Sequence, residues 1–279
     1  MRFAEPVDVL ELKKQHRAMW AAGDFARIAE LTVAVSTDVV ERLRLGPGMD
    51  VLDVATGTGN AALSAAALGA RVTALDIAPE LLEKGRERAA NRGLGVEWVE
   101  GDAMALPFAN GRFDAVLSTF GVQFAPRHEV CARELARVCS PVGVIGLVNW
   151  TPHSPPARVL ALIASYLPPP DVDSLPPWSW GVEAHVSRLF AGIDMELEFD
   201  VATLYFVYEG STETFVDFYE RYFGPLVGAR ARLSEDGRWP AFRREVVDIW
   251  ESSNEAWVDG GFRAPAEYLV VVGRKAHDP

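Results

Sequence analysis

The chain has 279 residues, 49% hydrophobic and 24% charged, with a formal net charge of −12. That supplies apolar material for a large core, and a surface so acidic repels phosphate backbones and argues against nucleic acid as a partner. No apolar run reaches the roughly 18–20 residues of a membrane helix. Glu5, Asp8 and Glu11 stand where a signal peptide would carry its apolar stretch, so a cytoplasmic setting is expected.

In chain order, residues 7–20 and 25–43 predict helices, the second with Ile28, Leu31, Val35, Val39 and Leu43 on one stripe. Gly46-Pro47-Gly48 then stops the helix. Strands are predicted at 50–55, 71–75, 96–99, 114–118 and 143–149, and helices at 60–68, 79–91 and 127–139, with 100–113 loop-like. Cys131 and Cys139 fall on the last of these helices, two turns apart and too distant to bridge. They form no C-x-x-C pair, so no metal site is expected. Alternating apolar strands and helices predict an α/β fold with a doubly wound, mostly parallel sheet. After Trp150 the chain becomes proline-rich, with helices predicted at 157–166, 181–190, 211–223 and 240–258. Strand-like runs return at 195–208 and 267–273, the last rejoining the sheet.

The segment VLDVATGTGN at 51–60 is a strand running through a glycine turn into a helix. Gly57 and Gly59 let the backbone approach a ligand where a side chain would collide. Asp76 closes the second strand, where a carboxylate can accept both hydroxyls of a ribose. Asp102, in VEGDA after the third strand, can accept from an adenine amino group beside the backbone of Ala103. Each element alone is weak; their order and register together point to a nucleoside ligand at the carboxyl ends of the strands.

These pieces, with VTALDIAPELLEKGRERA, VEGDAMALPFANGRFDAVLSTFGVQF and RELARVCSPVG, resemble the core of class I S-adenosylmethionine-dependent methyltransferases. The likeness is to the branch that includes ubiquinone/menaquinone C-methyltransferases, over residues 49–150. The resemblance implies a Rossmann-like single domain: a helical cap at 1–45, a cofactor-binding core at 46–150, and acceptor-binding insertions with the last strands at 151–279. It further implies that Asp53 and the loop from Ala55 through Thr56 and Gly57 to Gly59 hold the methionine end of S-adenosylmethionine. Asp76 takes the ribose, Ile77 packs on the adenine, Asp102 and Ala103 read its edge, and Ser118 and Thr119 line the floor near the sulfonium.

The acceptor is expected to be a small, partly apolar molecule, bound by aromatic residues drawn from the cap and the late insertions. Candidates are Trp20, Phe25, Phe124, Trp150, Trp178, Trp180, Tyr205, Tyr219 and Tyr222, with His153 after the fifth strand in reach of the acceptor and His185 a second candidate base. No catalytic base is singled out from the five histidines, and the oligomeric state is left open. Two other functions fit the same residues. A nicotinamide-dependent dehydrogenase would use Gly57-Thr58-Gly59-Asn60-Ala61-Ala62 as its fingerprint, although Asp53 stands where dinucleotide sites carry a small or apolar residue. A regulatory S-adenosylmethionine-binding protein, or one catalysing another reaction, would share the whole motif set.

Overall fold

The computed structural model describes residues 7–168, 174–256 and 261–275. Seven strands form one sheet: Asp50–Val54 (β1), Arg71–Asp76 (β2), Val96–Glu100 (β3), Phe113–Thr119 (β4), Cys139–Trp150 (β5), Glu196–Tyr208 (β6) and Phe262–Arg274 (β7). Their order is β3-β2-β1-β4-β5-β7-β6. The first five pair in parallel, and β7 runs antiparallel between β5 and β6. All five parallel strands therefore present their carboxyl ends along one edge, where open α/β sheets bind ligands.

Both faces are covered, as the apolar strands require. One face packs Val35 and Val39 of Val33–Arg42 (α3), and Ala61 and Ala65 of Asn60–Ala67 (α4), against β1, β2 and β5. Its core continues into the helices Pro155–Tyr166 (α7), Thr212–Tyr222 (α9), Gly224–Glu235 (α10) and Trp239–Glu251 (α11). The other face buries Leu135 of His128–Val138 (α6) and Val186 and Leu189 of Glu183–Leu189 (α8) on Leu52, Val116 and Leu147. The helix Pro79–Asn91 (α5) follows β2, with Pro79 in its first turn.

Several expectations need correcting. The helix expected over 25–43 is two, Phe25–Glu30 (α2) and α3. The Ala29 carbonyl is claimed by the Thr32 amide, the Thr32 hydroxyl and the Asn60 side chain, which breaks the ladder there. Cys139 is extended rather than helical and opens β5 opposite Phe113. It and Cys131 are buried free thiols. Helix α10 is absent from the predicted elements; it opens on Gly224-Pro225, and proline is well accommodated in a helix's first turn. Helix α11 ends at Glu251, and 257–258 of its expected range lie outside the described residues, as does His277.

The N-terminal helix Val7–Ala21 (α1), with α2, is clamped across the sheet edge by ion pairs: Lys13 to Asp102, Arg17 to Glu100 at 3.0 Å and Lys84 to Asp24 at 2.6 Å. Such partly exposed pairs contribute about 0–1 kcal/mol each. Their effect is to fix where α1 lies.

Candidate functional site

The carboxyl ends of β1, β2, β4 and β5, with the loop after β3, open onto one cleft roofed by α1, α2 and α3. The space in the cleft and the open solvent at its mouth together come to about 1370 Å³.

Asp53 sits one residue before the end of β1 and is buried under the glycine turn. It accepts the Thr56 hydroxyl at 2.5 Å and, at 3.0 Å, the amide of Ala62 in the first turn of α4. Burial pushes its carboxyl up to about 7, against those two hydrogen bonds, and the nearby Asp76 adds to the rise. Asp76 ends β2 and accepts the amides of Gly57 at 2.8 Å and Ala78 at 2.9 Å. Burial raises its carboxyl too, opposed by these amides. Both carboxylates thus shape the loop they flank, with lone pairs left over for a ligand.

The loop takes left-handed backbone at Ala55, Gly57 and Gly59. The two glycines do different work. A Cβ on Gly57 would face the Phe25 ring at 3.5 Å across the cleft, whereas one on Gly59 would overlap the Trp98 indole at 2.5 Å. Gly59 does not line the cleft, so its smallness serves packing rather than ligand approach.

Asp102 follows β3, accepts the Met104 amide at 2.9 Å and pairs with Lys13 of α1. Ile77, Ala103, Ala55, Thr56 and Thr119 line the cleft. The Thr119 hydroxyl is buried without a hydrogen-bond partner among the described residues. Ser118 is turned away: its hydroxyl donates to the Val54 carbonyl at 2.8 Å and accepts the Val122 amide at 3.1 Å. It braces the loop after β4 and is absent from the cleft wall.

The remaining wall is aromatic. Trp20, Phe25, Phe124, Trp150 and Tyr219 converge there as the sequence suggested, joined by Phe120, Phe206 and Phe223, which it did not single out. Phe120 stacks on Trp150 with ring centres 3.8 Å apart, and Trp20 meets Phe25 and Phe124 edge-on. Phe120 is left-handed with φ 56°, a costly conformation for a bulky residue that clusters at ligand sites.

Other acceptor candidates lie elsewhere. Trp180 is fully buried on the opposite sheet face beside His128, and Trp178 packs half-buried into the core. His153 is exposed in the turn after β5, and His185 is buried against His128, with the ring nitrogens at 3.1 Å. Tyr205 lies on exposed β6 under the Arg263 guanidinium, and Tyr222 packs on Phe218. Trp178→Ala is therefore expected to cost stability, about 1–2 kcal/mol of lost burial, with ligand affinity in the cleft changed less than two-fold. Denaturation and calorimetry check the two halves.

Lys13, His16 and Ser36 were missed; all three line the cleft. The available signal was the spacing of Lys13, His16 and Trp20, which puts them on one face of α1.

The family model described as a methyltransferase domain matches residues 51–143. An uncharacterized protein of Mycobacterium tuberculosis is 40% identical over 266 residues, spanning 93% of this chain and 94% of its own. Demethylmenaquinone methyltransferase of Thermus thermophilus is 42% identical over 115 residues, 40% of this chain and 51% of that one. Among solved structures, the YcgJ protein from Bacillus subtilis superposes with a TM-score of 0.59 at 18% identity, covering 88% of this chain and 99% of that one.

Proposed function

We propose that this chain, which belongs to the class I S-adenosylmethionine-dependent methyltransferases, transfers the methyl group to a small, mainly apolar metabolite held in the cleft under α1. One observation carries the reading. Asp53, Asp76, Asp102 and Thr119, from the ends of four neighbouring strands, meet in a single cleft whose far wall is aromatic.

The residues present suit the cofactor. Asp53 offers a buried carboxylate that an ammonium would hold ionised, and Gly57 leaves the turn open toward the cleft. Asp76 keeps lone pairs for ribose hydroxyls, Ile77 supplies an apolar face for adenine, and Asp102 with Ala103 stands at its edge. Thr119, whose hydroxyl has no partner among the described residues, lies on the floor. The bound cofactor supplies an activated methyl group for in-line displacement. The protein's part is orientation and exclusion of water, which can supply several kcal/mol of rate enhancement: α1 covers the cleft, and the aromatic wall sets the acceptor's plane. No helix among the described residues is long and apolar enough to cross a membrane. The buried free thiols and the charge of −12 support a cytoplasmic enzyme that does not bind nucleic acid.

The Asp53 carboxylate beneath the glycine turn and the Asp102 carboxylate after β3 favour this reading over a dinucleotide site. Calorimetry tests it: S-adenosylmethionine and S-adenosylhomocysteine are expected to bind and NAD is not. Binding of NAD without S-adenosylhomocysteine would sink the assignment. A methyl-transfer screen against a metabolite extract, read as product mass gain, then finds the acceptor and separates an enzyme from a binding protein.

A further inference from the structure

Among the described residues, the titratable side chains lining the cleft are Lys13, His16, Asp53, Asp76, Asp102 and Tyr219. Asp53 and Asp76 are bonded to the glycine loop and the turns beside it, and Asp102 is paired with Lys13. Burial holds the Tyr219 phenol far above its usual range, so it keeps its proton. With Asp53 and Asp76 given to the cofactor and Asp102 to Lys13 and the adenine edge, His16 is the remaining group in the cleft that can take a proton. It sits between Lys13 and Trp20 on the face of α1 turned to the cleft. Burial lowers its basicity, opposed by a hydrogen bond to the Phe124 main chain. The imidazole is therefore biased toward its neutral form, in which one ring nitrogen carries a lone pair.

The same inventory limits the acceptor. The three carboxylates all lie at the strand ends, so the aromatic side offers a cationic amine no ion pair. An anionic acceptor would face Asp53, Asp76 and Asp102 across a cleft whose lysine is already ion-paired. Stacked and edge-on rings suit a flat, uncharged molecule.

Resting on the cleft being the methyl-transfer site, we propose that the acceptor is a neutral, ring-bearing molecule methylated on a hydroxyl, and that His16 is its general base. The hydroxyl oxygen bonds to the methyl carbon as the sulfur–methyl bond breaks with its electron pair left on sulfur. The hydroxyl proton passes to the free ring nitrogen of His16.

The test uses the full chain saturated with S-adenosylhomocysteine, and calorimetric titration with 4-phenylphenol or its methyl ether. The wild type is expected to prefer the phenol about 10-fold, the scale of one hydrogen bond. His16→Leu should erase that preference while leaving affinity for the ether and for S-adenosylhomocysteine within three-fold. His16→Gln, whose carbonyl oxygen can still accept, should keep the preference yet lose about 100-fold or more in methyl transfer from S-adenosylmethionine to 4-phenylphenol. A preference that survives His16→Leu, or transfer that survives His16→Gln, overturns the role of His16. A wild type that binds S-adenosylhomocysteine but neither binds nor methylates 4-phenylphenol overturns the acceptor class. Failure to bind S-adenosylhomocysteine would instead strike the cleft assignment itself, and this inference with it.

Discussion

Asp76→Ala is expected to weaken S-adenosylhomocysteine binding by about 10- to 150-fold, because a hydrogen bond to a charged group is worth about 1.5–3 kcal/mol. The structure adds a complication that the experiment must separate. Asp76 also accepts the Gly57 and Ala78 amides, so its loss loosens the glycine turn as well as the ribose site. An analogue lacking both ribose hydroxyls divides the two effects. If the carboxylate serves the ribose, wild type and Asp76→Ala should bind that analogue with similar affinity. If it only shapes the turn, the analogue should lose as much as the parent ligand. A folded Asp76→Ala protein with unchanged affinity for S-adenosylhomocysteine would place the nucleoside elsewhere.

Gly59→Val is expected to destabilise the fold by about 2–6 kcal/mol. A left-handed backbone costs a bulky residue about 1–3 kcal/mol, and overpacking adds about 1–3 kcal/mol. Here φ is +85°, and the added carbon would fall 2.5 Å from the Trp98 indole. Against a total stability of about 5–15 kcal/mol, that is a severe loss. The partner can be named, so the effect can be partly reversed. Trp98→Leu, introduced into Gly59→Val, should return the packing share and leave the backbone share. Chemical denaturation reads both. Were Gly59→Val to keep the wild-type midpoint and lose only ligand affinity, the glycine would face the ligand after all.

The contrast between these two residues shows how far the sequence reaches. The α/β alternation, the parallel core and the placing of Asp53, Gly57, Asp76 and Asp102 at strand ends were all legible in the chain. Each follows from a local pattern: apolar runs of strand length, helical periodicity and glycine where backbone must turn left-handed. What a side chain meets across the fold has no such pattern. Trp98 lies 39 residues from Gly59 and gives no sign in the sequence that it fills the space beside that glycine. Lys13 and Asp102 are 89 residues apart, so their ion pair, and with it the position of α1 over the cleft, could not be read from spacing. The aromatic residues were legible only as a set of candidates. Burial sends Trp180 to the far face and Phe120, Phe206 and Phe223 into the cleft, and both destinations are equally apolar to a sequence pattern. His16 went unnoticed for the same reason: its helix is readable, but only the docking of α1 on the sheet edge turns that face toward a ligand. Local periodicity determined which elements form, and the packing of elements distant in sequence decided which of their residues share a site.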